Sequence, residues 1–213
     1  MKLFPGLILL LTISICTTFS AQTFLGISGG INTSNFSGDA PADASYNYKL
    51  GYSAGIVADF TLTEDVLLSL QPRYLQRGTT ISYEKPDFES IDSLSITLDY
   101  LSFPVLVKIL SLNKRVYFSS GLDMSYLTSA TSENLMDGST ENIQELIKNY
   151  DLSVVFGFGL NFPVGITLLS FELRYSQSLL NISNLSEASS DDIFPYRFRT
   201  SGLQLLASFL YPL

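Results

Sequence analysis

Histidine is absent from this 213-residue chain, and cysteine occurs once, as Cys16. Without histidine there is no Ser-His triad, and the commonest general base is missing. A single cysteine permits neither an intrachain disulfide nor a thiolate metal site. Lysine is scarce as well, with six in all, where the exterior of a soluble domain would carry more. Beyond the leader, no stretch approaches the roughly 18 uncharged apolar residues that a membrane helix needs. A membrane span in this chain must therefore be built from strands, and only a closed barrel satisfies the backbone of strands in lipid.

The leader itself runs Met1-Lys2, then Leu3 to Phe19 without a charge, then Ser20-Ala21 before Gln22. A charged start, an apolar middle and a small-residue exit read as a secretory signal cleaved after Ala21. Ile15 ahead of Cys16 is too large for lipoprotein processing, so the segment is read as removed and not as a lipid anchor. The expected organisation is a signal peptide over 1–21 and one domain over 22–213. That domain has no cysteine and keeps eleven bases against twenty acids.

In the remaining chain, seven connections separate eight alternating segments, and long and short connections take turns. The segments run over about 23–34, 48–61, 66–83, 94–110, 116–128, 150–161, 166–180 and 196–213. The long connections are 35–47, 84–93, 129–149 and 181–195. The short ones are Leu62-Thr63-Glu64-Asp65, Ser111-Leu112-Asn113-Lys114-Arg115 and Phe162-Pro163-Val164-Gly165. Such a pattern predicts an all-β, eight-stranded, antiparallel up-and-down transmembrane barrel with four long outer loops and three short periplasmic turns. Even strand number puts both termini on the periplasmic side, and the expected location is the outer membrane.

Period-two alternation assigns the faces. Leu152, Val154, Phe156, Phe158 and Leu160 oppose Asp151, Ser153, Val155, Gly157, Gly159 and Asn161. Val66, Leu68, Leu70 and Tyr74 oppose Ser69, Gln71, Arg73 and Arg77, and Leu169, Phe171, Leu173 and Tyr175 oppose Ser170, Glu172, Arg174 and Ser176. An apolar face turned inward would make a soluble lipocalin-like carrier. Turned outward, it would meet lipid. The second arrangement is favoured because the opposite face carries Gly51, Ser53 and Gly55, which suit a narrow interior, and charges of both signs that can pair there. The candidate lumen network is Asp59, Arg73, Lys108, Asp123, Asp151, Glu172 and Arg174. Tyr46, Tyr48, Tyr52, Tyr74, Tyr83, Tyr100, Tyr126, Tyr150, Tyr175 and Tyr196 fall mostly toward segment ends, where their rings suit a lipid–water boundary and also favour strands.

Charge sorts by element. The long connections hold thirteen acids (Asp39, Asp43, Glu84, Asp87, Glu89, Asp92, Glu133, Asp137, Glu141, Glu145, Glu187, Asp191 and Asp192) against Lys85 and Lys148, while the rest of the domain is near balance. Such a rim would attract a protein or cationic partner and repel nucleic acid, or simply keep strand ends in water. The Asp137-Gly138-Ser139-Thr140-Glu141 run is too sparse for a calcium hand. Glu141 to Lys148, with Ile143, Leu146 and Ile147 at helical spacing, would make one short amphipathic turn of helix.

Nothing in the sequence asks for catalysis. Asp151 and Glu172 lie on adjacent predicted strands, but Arg174 stands ready to pair with them, and a salt-bridge network is the commoner use of such carboxylates. There is no phosphate loop, dinucleotide motif or metal-ligand cluster, so no cofactor or metal is expected and the protein is read as a non-enzyme. Eight strands enclose an interior barely wide enough for side chains, which argues against a general diffusion pore. Three functional readings follow. The first is a structural, adhesive or ligand-binding role through the acidic loops. The second is a narrow transport or secretion-associated component, and the third is the soluble carrier. Oligomeric state leaves no signal.

Several short runs resemble a known family. Gly26-Ile27-Ser28-Gly29-Gly30-Ile31-Asn32-Thr33-Ser34, Tyr100-Leu101-Ser102-Phe103-Pro104-Val105-Leu106-Val107-Lys108, Asp151 through Phe156-Gly157-Phe158-Gly159-Leu160, and Phe171-Glu172-Leu173-Arg174-Tyr175 before Leu179-Leu180-Asn181-Ile182 look like the PorT-like outer-membrane β-barrel proteins of Bacteroidetes. The resemblance implies an outer-membrane barrel of about this size, and for some members a link to secretion machinery. Two departures stand out. Ser102 occupies a place where an acid often precedes the proline pair, and the chain ends Tyr211-Pro212-Leu213 instead of on an aromatic, although Leu203, Leu205, Ala207, Phe209 and Tyr211 still alternate.

Overall fold

β-branched, aromatic and leucine side chains at every second position put one greasy face along each segment, and strands that pair side by side join such faces into one continuous surface. The computed structural model describes residues 23–38, 44–83, 92–184 and 197–213. The expected signal peptide 1–21 lies outside them, as do Asp39, Asp43, Glu84, Lys85, Asp87, Glu89, Glu187, Asp191, Asp192 and Tyr196. Among the described residues, no helix is long and apolar enough to cross a membrane.

Among the described residues, ten strands make one antiparallel sheet: β1 (Thr23–Gly38), β2 (Ala44–Thr63), β3 (Val66–Leu70), β4 (Arg73–Tyr83), β5 (Asp92–Leu110), β6 (Val116–Asn134), β7 (Thr140–Asn142), β8 (Tyr150–Val164), β9 (Thr167–Ser178) and β10 (Phe198–Pro212). The sheet closes on itself, because β1 pairs with β2 on one side and with β10 on the other, from Phe24 opposite Pro212 to Gly38 opposite Phe198. Eight positions make the ring, since β3 and β4 lie end to end between β2 and β5, and β7 pairs with β6 alone.

Two details depart from the eight segments expected. The third segment breaks at Gln71-Pro72, where proline has no N–H to give the ladder. The Pro72 carbonyl still accepts from Ile56 N–H at 2.9 Å, so the ring is not opened there. The connection expected over 129–149 is partly strand: β6 runs on to Asn134, and β7 folds back so that Thr131 faces Asn142. The helical turn expected over 141–148 is a single 3-10 turn at Gln144–Leu146, with Glu141 and Asn142 in β7.

The greasy face looks outward. Phe156, Phe158 and Leu160 are exposed on β8 while Asp151, Ser153, Val155 and Asn161 between them are buried. Leu203, Leu205, Phe209 and Tyr211 are likewise exposed on β10. Tyr74 on β4, Leu101 on β5, Tyr126 on β6 and Tyr150 on β8 stand opposite one another in register. With Tyr52, whose ring lies 5.5 Å from that of Tyr74, they form an arc of tyrosine on the outer surface. Tyr100 breaks the expected boundary role, for it points inward and is fully buried. Its direction follows the unbroken alternation of β5, in which Leu98, Tyr100 and Ser102 are all buried; the register shift beside it leaves Thr128 of β6 as the extra residue and changes the inward phase of β6 from Leu127 to Ala130.

Inside the ring, the two ends differ. Toward the long connections, an apolar cluster joins Phe36, Leu75, Ile81, Ile96, Leu98, Tyr100, Leu127 and Phe198 of the strands to Ile143, Ile147 and Ile182 of the connections. Phe36 and Phe198 stack at 4.4 Å. Lys148 N–H donates to the Ile182 carbonyl and Asn184 N–H to the Leu146 carbonyl, which tie two connections together over this end. Below the cluster the interior becomes polar.

Candidate functional site

Because β-strands alternate, each polar residue between two outward leucines or aromatics must enter the ring, where water cannot serve it and another side chain must. All seven residues expected to face the lumen are buried, and they sort into local groups along the ring axis. Nearest the short turns, Lys108 of β5 donates to Asp59 of β2 at 2.8 Å and lies 5.1 Å from the centre of the Tyr117 ring. Next comes Glu172 of β9. Its Oε1 accepts from Arg174 Nε at 2.9 Å and Ser119 Oγ at 2.7 Å, and its Oε2 from Tyr117 Oη at 3.0 Å. Arg174 Nη2 reaches across the ring to Gln71 Oε1 at 2.8 Å.

Asp123 of β6 accepts from Ser102 at 2.6 Å and Ser125 at 3.2 Å, with Arg73 at 3.4 Å and Arg77 at 3.6 Å. Ser102, the departure from the family pattern, thus serves as a hydroxyl donor to an acid on the neighbouring strand. Asp151 of β8 accepts from Arg77 Nη1 at 2.8 Å and from Ser153 and Ser178. Arg77 Nη1 also bonds Thr200 at 3.1 Å. The Arg77 guanidinium, 5.7 Å from the Tyr100 ring centre, is where the charged zone meets the apolar cluster.

One expected pairing is corrected. Arg174 neutralises Glu172 but not Asp151, whose partner is Arg77. The two acids are not a catalytic pair either. Glu172 stands opposite Gly159 in the β8–β9 register, eight residues along β8 from Asp151, or roughly 26 Å at about 3.3 Å per residue. Arg77 is the member of this zone that the expected set omitted. Its inward position was visible in the alternation, but its two acidic partners come from β6 and β8, distant in sequence. Among the described residues, the buried charges are four cations (Arg73, Arg77, Lys108, Arg174) and four acids (Asp59, Asp123, Asp151, Glu172).

Glycine makes the room for this. An added Cβ at Gly157 would collide with Glu172 and Ser119, and one at Gly159 with the Tyr117 ring. Below the Lys108–Asp59 pair, a hollow of about 880 Å³ opens among the three short turns. Above the ring, at Asp137, Ser139 donates through both its hydroxyl (2.6 Å) and its N–H (2.8 Å). These bonds, the hydroxyl first, hold that carboxyl below the ordinary carboxylate range. Of the other loop acids, Glu133, Glu141 and Glu145 are exposed. Among the described residues, no group of three or more carboxylates, cysteines or histidines is placed to hold a metal.

The family model described as "Outer membrane protein beta-barrel domain" matches residues 20–184. Among solved structures, the chain is similar to Ail, the attachment invasion locus protein of Yersinia pestis, in complex with the heparin analogue sucrose octasulfate, with 16% identity over 89% of this chain and 99% of that one and a TM-score of 0.47. It is similar to Neisserial surface protein A, with 14% identity, 87% and 95% coverage and a TM-score of 0.45. It is also similar to OprG from Pseudomonas aeruginosa, with 10% identity, 91% and 96% coverage and a TM-score of 0.44. Comparison with curated proteins finds no match.

Proposed function

Because the chain belongs to the outer membrane protein β-barrel domain family and so resides in the outer membrane, we propose that it is an eight-stranded, up-and-down transmembrane barrel that acts by display and not by conduction. Its four long connections face outward, its three short turns face the periplasm, and its function is to bind a basic protein or other cationic partner through the acidic outer surface. The signal peptide over 1–21 and membership of the PorT-like group of Bacteroidetes are part of the same reading. The observation that carries it is the interior: four buried cations against four buried acids, beneath an apolar cluster. A filled, neutral interior is what a support for loops requires and what a conduit must lack. The outward apolar faces speak against the soluble carrier.

The test is loop exchange. With all four long connections replaced by short turns, the barrel is expected to keep its heat-modifiable gel migration, because the ring's pairing lies in the strands. Binding of an oligolysine probe to the protein in nanodiscs, weakened by salt in the parent, is expected to disappear. Unchanged probe binding would sink the reading.

A further inference from the structure

The outer wall is not smooth at one place. On β5, β6 and β8, an apolar notch of about 590 Å³ is bounded by Leu101, Phe103, Met124, Tyr126 and Leu152. It exists because two pairings of β8 end at different heights. Against β6 the strand is paired up to Tyr150 opposite Tyr126, but against β9 the register begins only at Ser153 opposite Ser178. Leu179 N–H still donates to the Leu152 carbonyl at 2.8 Å, and above it the chain bends at Leu180, which stands at the edge of the indented wall.

A second hollow, of about 1240 Å³, lies in the connections above it. Its lining includes Asn142, Gln144 and Asn149, with Glu141, Glu145 and Lys148. The two hollows share Tyr150 and Leu180, so the apolar notch and the polar one adjoin at the tyrosine arc. Tyr150 is 69% exposed and its ring lies 5.2 Å from that of Tyr126, a pair suited to the level where hydrocarbon gives way to headgroups.

We infer that these two adjoining hollows together seat one amphiphile of the membrane: an acyl chain in the notch and a hydroxyl-rich, glycolipid-type headgroup in the hollow above. The notch belongs to the lipid-facing surface, so hydrocarbon is its occupant. Side-chain amides both donate to and accept from hydroxyls, and carboxylates accept from them, whereas a lone lysine beside two glutamates is a poor match for a bare phosphate. The inference needs only the membrane location, not the proposed partner of the loops.

The chain has no tryptophan, so single reporters can be placed cleanly. Phe103→Trp reports the notch, and Ile31→Trp reports plain outer wall across the ring, level in register with Tyr52. In bilayers of dibrominated phosphatidylcholine both are quenched. Adding a few mole per cent of unbrominated dihexosyl diacylglycerol is expected to restore the notch reporter with a preference of about tenfold over the wall reporter. Adding unbrominated phosphatidylcholine should restore both only in proportion. The double variant Asn142→Ala/Asn149→Ala, folded by its heat-modifiable migration, should lose the glycolipid preference. Equal recovery of the two reporters overturns the seat, equal action of the two lipids overturns the headgroup assignment, and a preference that survives the double variant overturns the upper hollow as its site.

Discussion

At the scale of single residues, burial makes the ion pairs unequal. Arg77 holds two acids, bonding Asp151 at 2.8 Å and standing 3.6 Å from Asp123, and it also bonds Ser153 and Thr200. Arg73 meets Asp123 only at 3.4 Å, and its Nε and Nη1 have no hydrogen-bond partner among the described residues. Removing one partner of a buried pair leaves the other uncompensated, at a cost of about 3–5 kcal/mol. Arg77→Met should reach that range, because Asp151 loses the one cation paired with it among the described residues. Arg73→Met should cost clearly less, since Asp123 keeps Arg77 and two serine hydroxyls. Arg115→Met, on an exposed turn, should stay within about 0.5 kcal/mol. Urea unfolding of the three variants in detergent micelles gives the ranking, and equal losses for Arg73 and Arg77 would show that contact geometry does not set the stability of this interior.

At the scale of elements, the alternation that exposed the strands also exposed their faces, because a period of two is a local property. Asp151, Glu172 and Arg174 could be assigned to the interior from their own strands. Which of them pair could not, because partners are set by register and stagger around the ring, which local spacing does not contain. That is why spacing alone matches Arg174 with Asp151 and leaves Arg77 without its two acids. The break at Gln71-Pro72 and the fold-back of β7 are likewise decided by neighbours across the sheet. Glycines show the same division. Alternation sets Gly29 on the face of Ile27 and Ile31 and Gly157 on the face opposite Phe156 and Phe158, but not what each meets: an added Cβ at Gly29 has ordinary contact with the Ser53 carbonyl at 3.7 Å, while one at Gly157 strikes Glu172 and Ser119. Gly29→Ala should therefore stabilise by about 0.4–1 kcal/mol through a less flexible unfolded chain. Gly157→Ala should destabilise, since Glu172 cannot withdraw without leaving Arg174. The fraction surviving as the folded band after graded heating distinguishes the two.

At the scale of the whole molecule, the ring is stoppered twice, by different chemistry. Ile143, Ile147 and Ile182 close the end of the long connections with apolar side chains, and the eight buried charges fill the middle. The short-turn end opens into a hollow of about 880 Å³. An ion crossing an eight-stranded ring finds an interior just wide enough for side chains, so it must both part the apolar layer and displace a charge from its partner. Neither stopper alone sets the seal. Replacing residues 136–148 by a short turn removes Ile143 and Ile147 and should leave planar bilayers silent, because Arg77, Asp123 and Asp151 still span the lumen. Adding Arg77→Ser and Arg174→Ser to that variant removes the two cations that bridge the ring, and a resolvable conductance is then expected, selective for cations because Asp123, Asp151 and Glu172 remain. Should the uncapped barrel conduct by itself, the charged layer is a lining and not a plug, and the narrow transport role would replace display as the better account of this molecule.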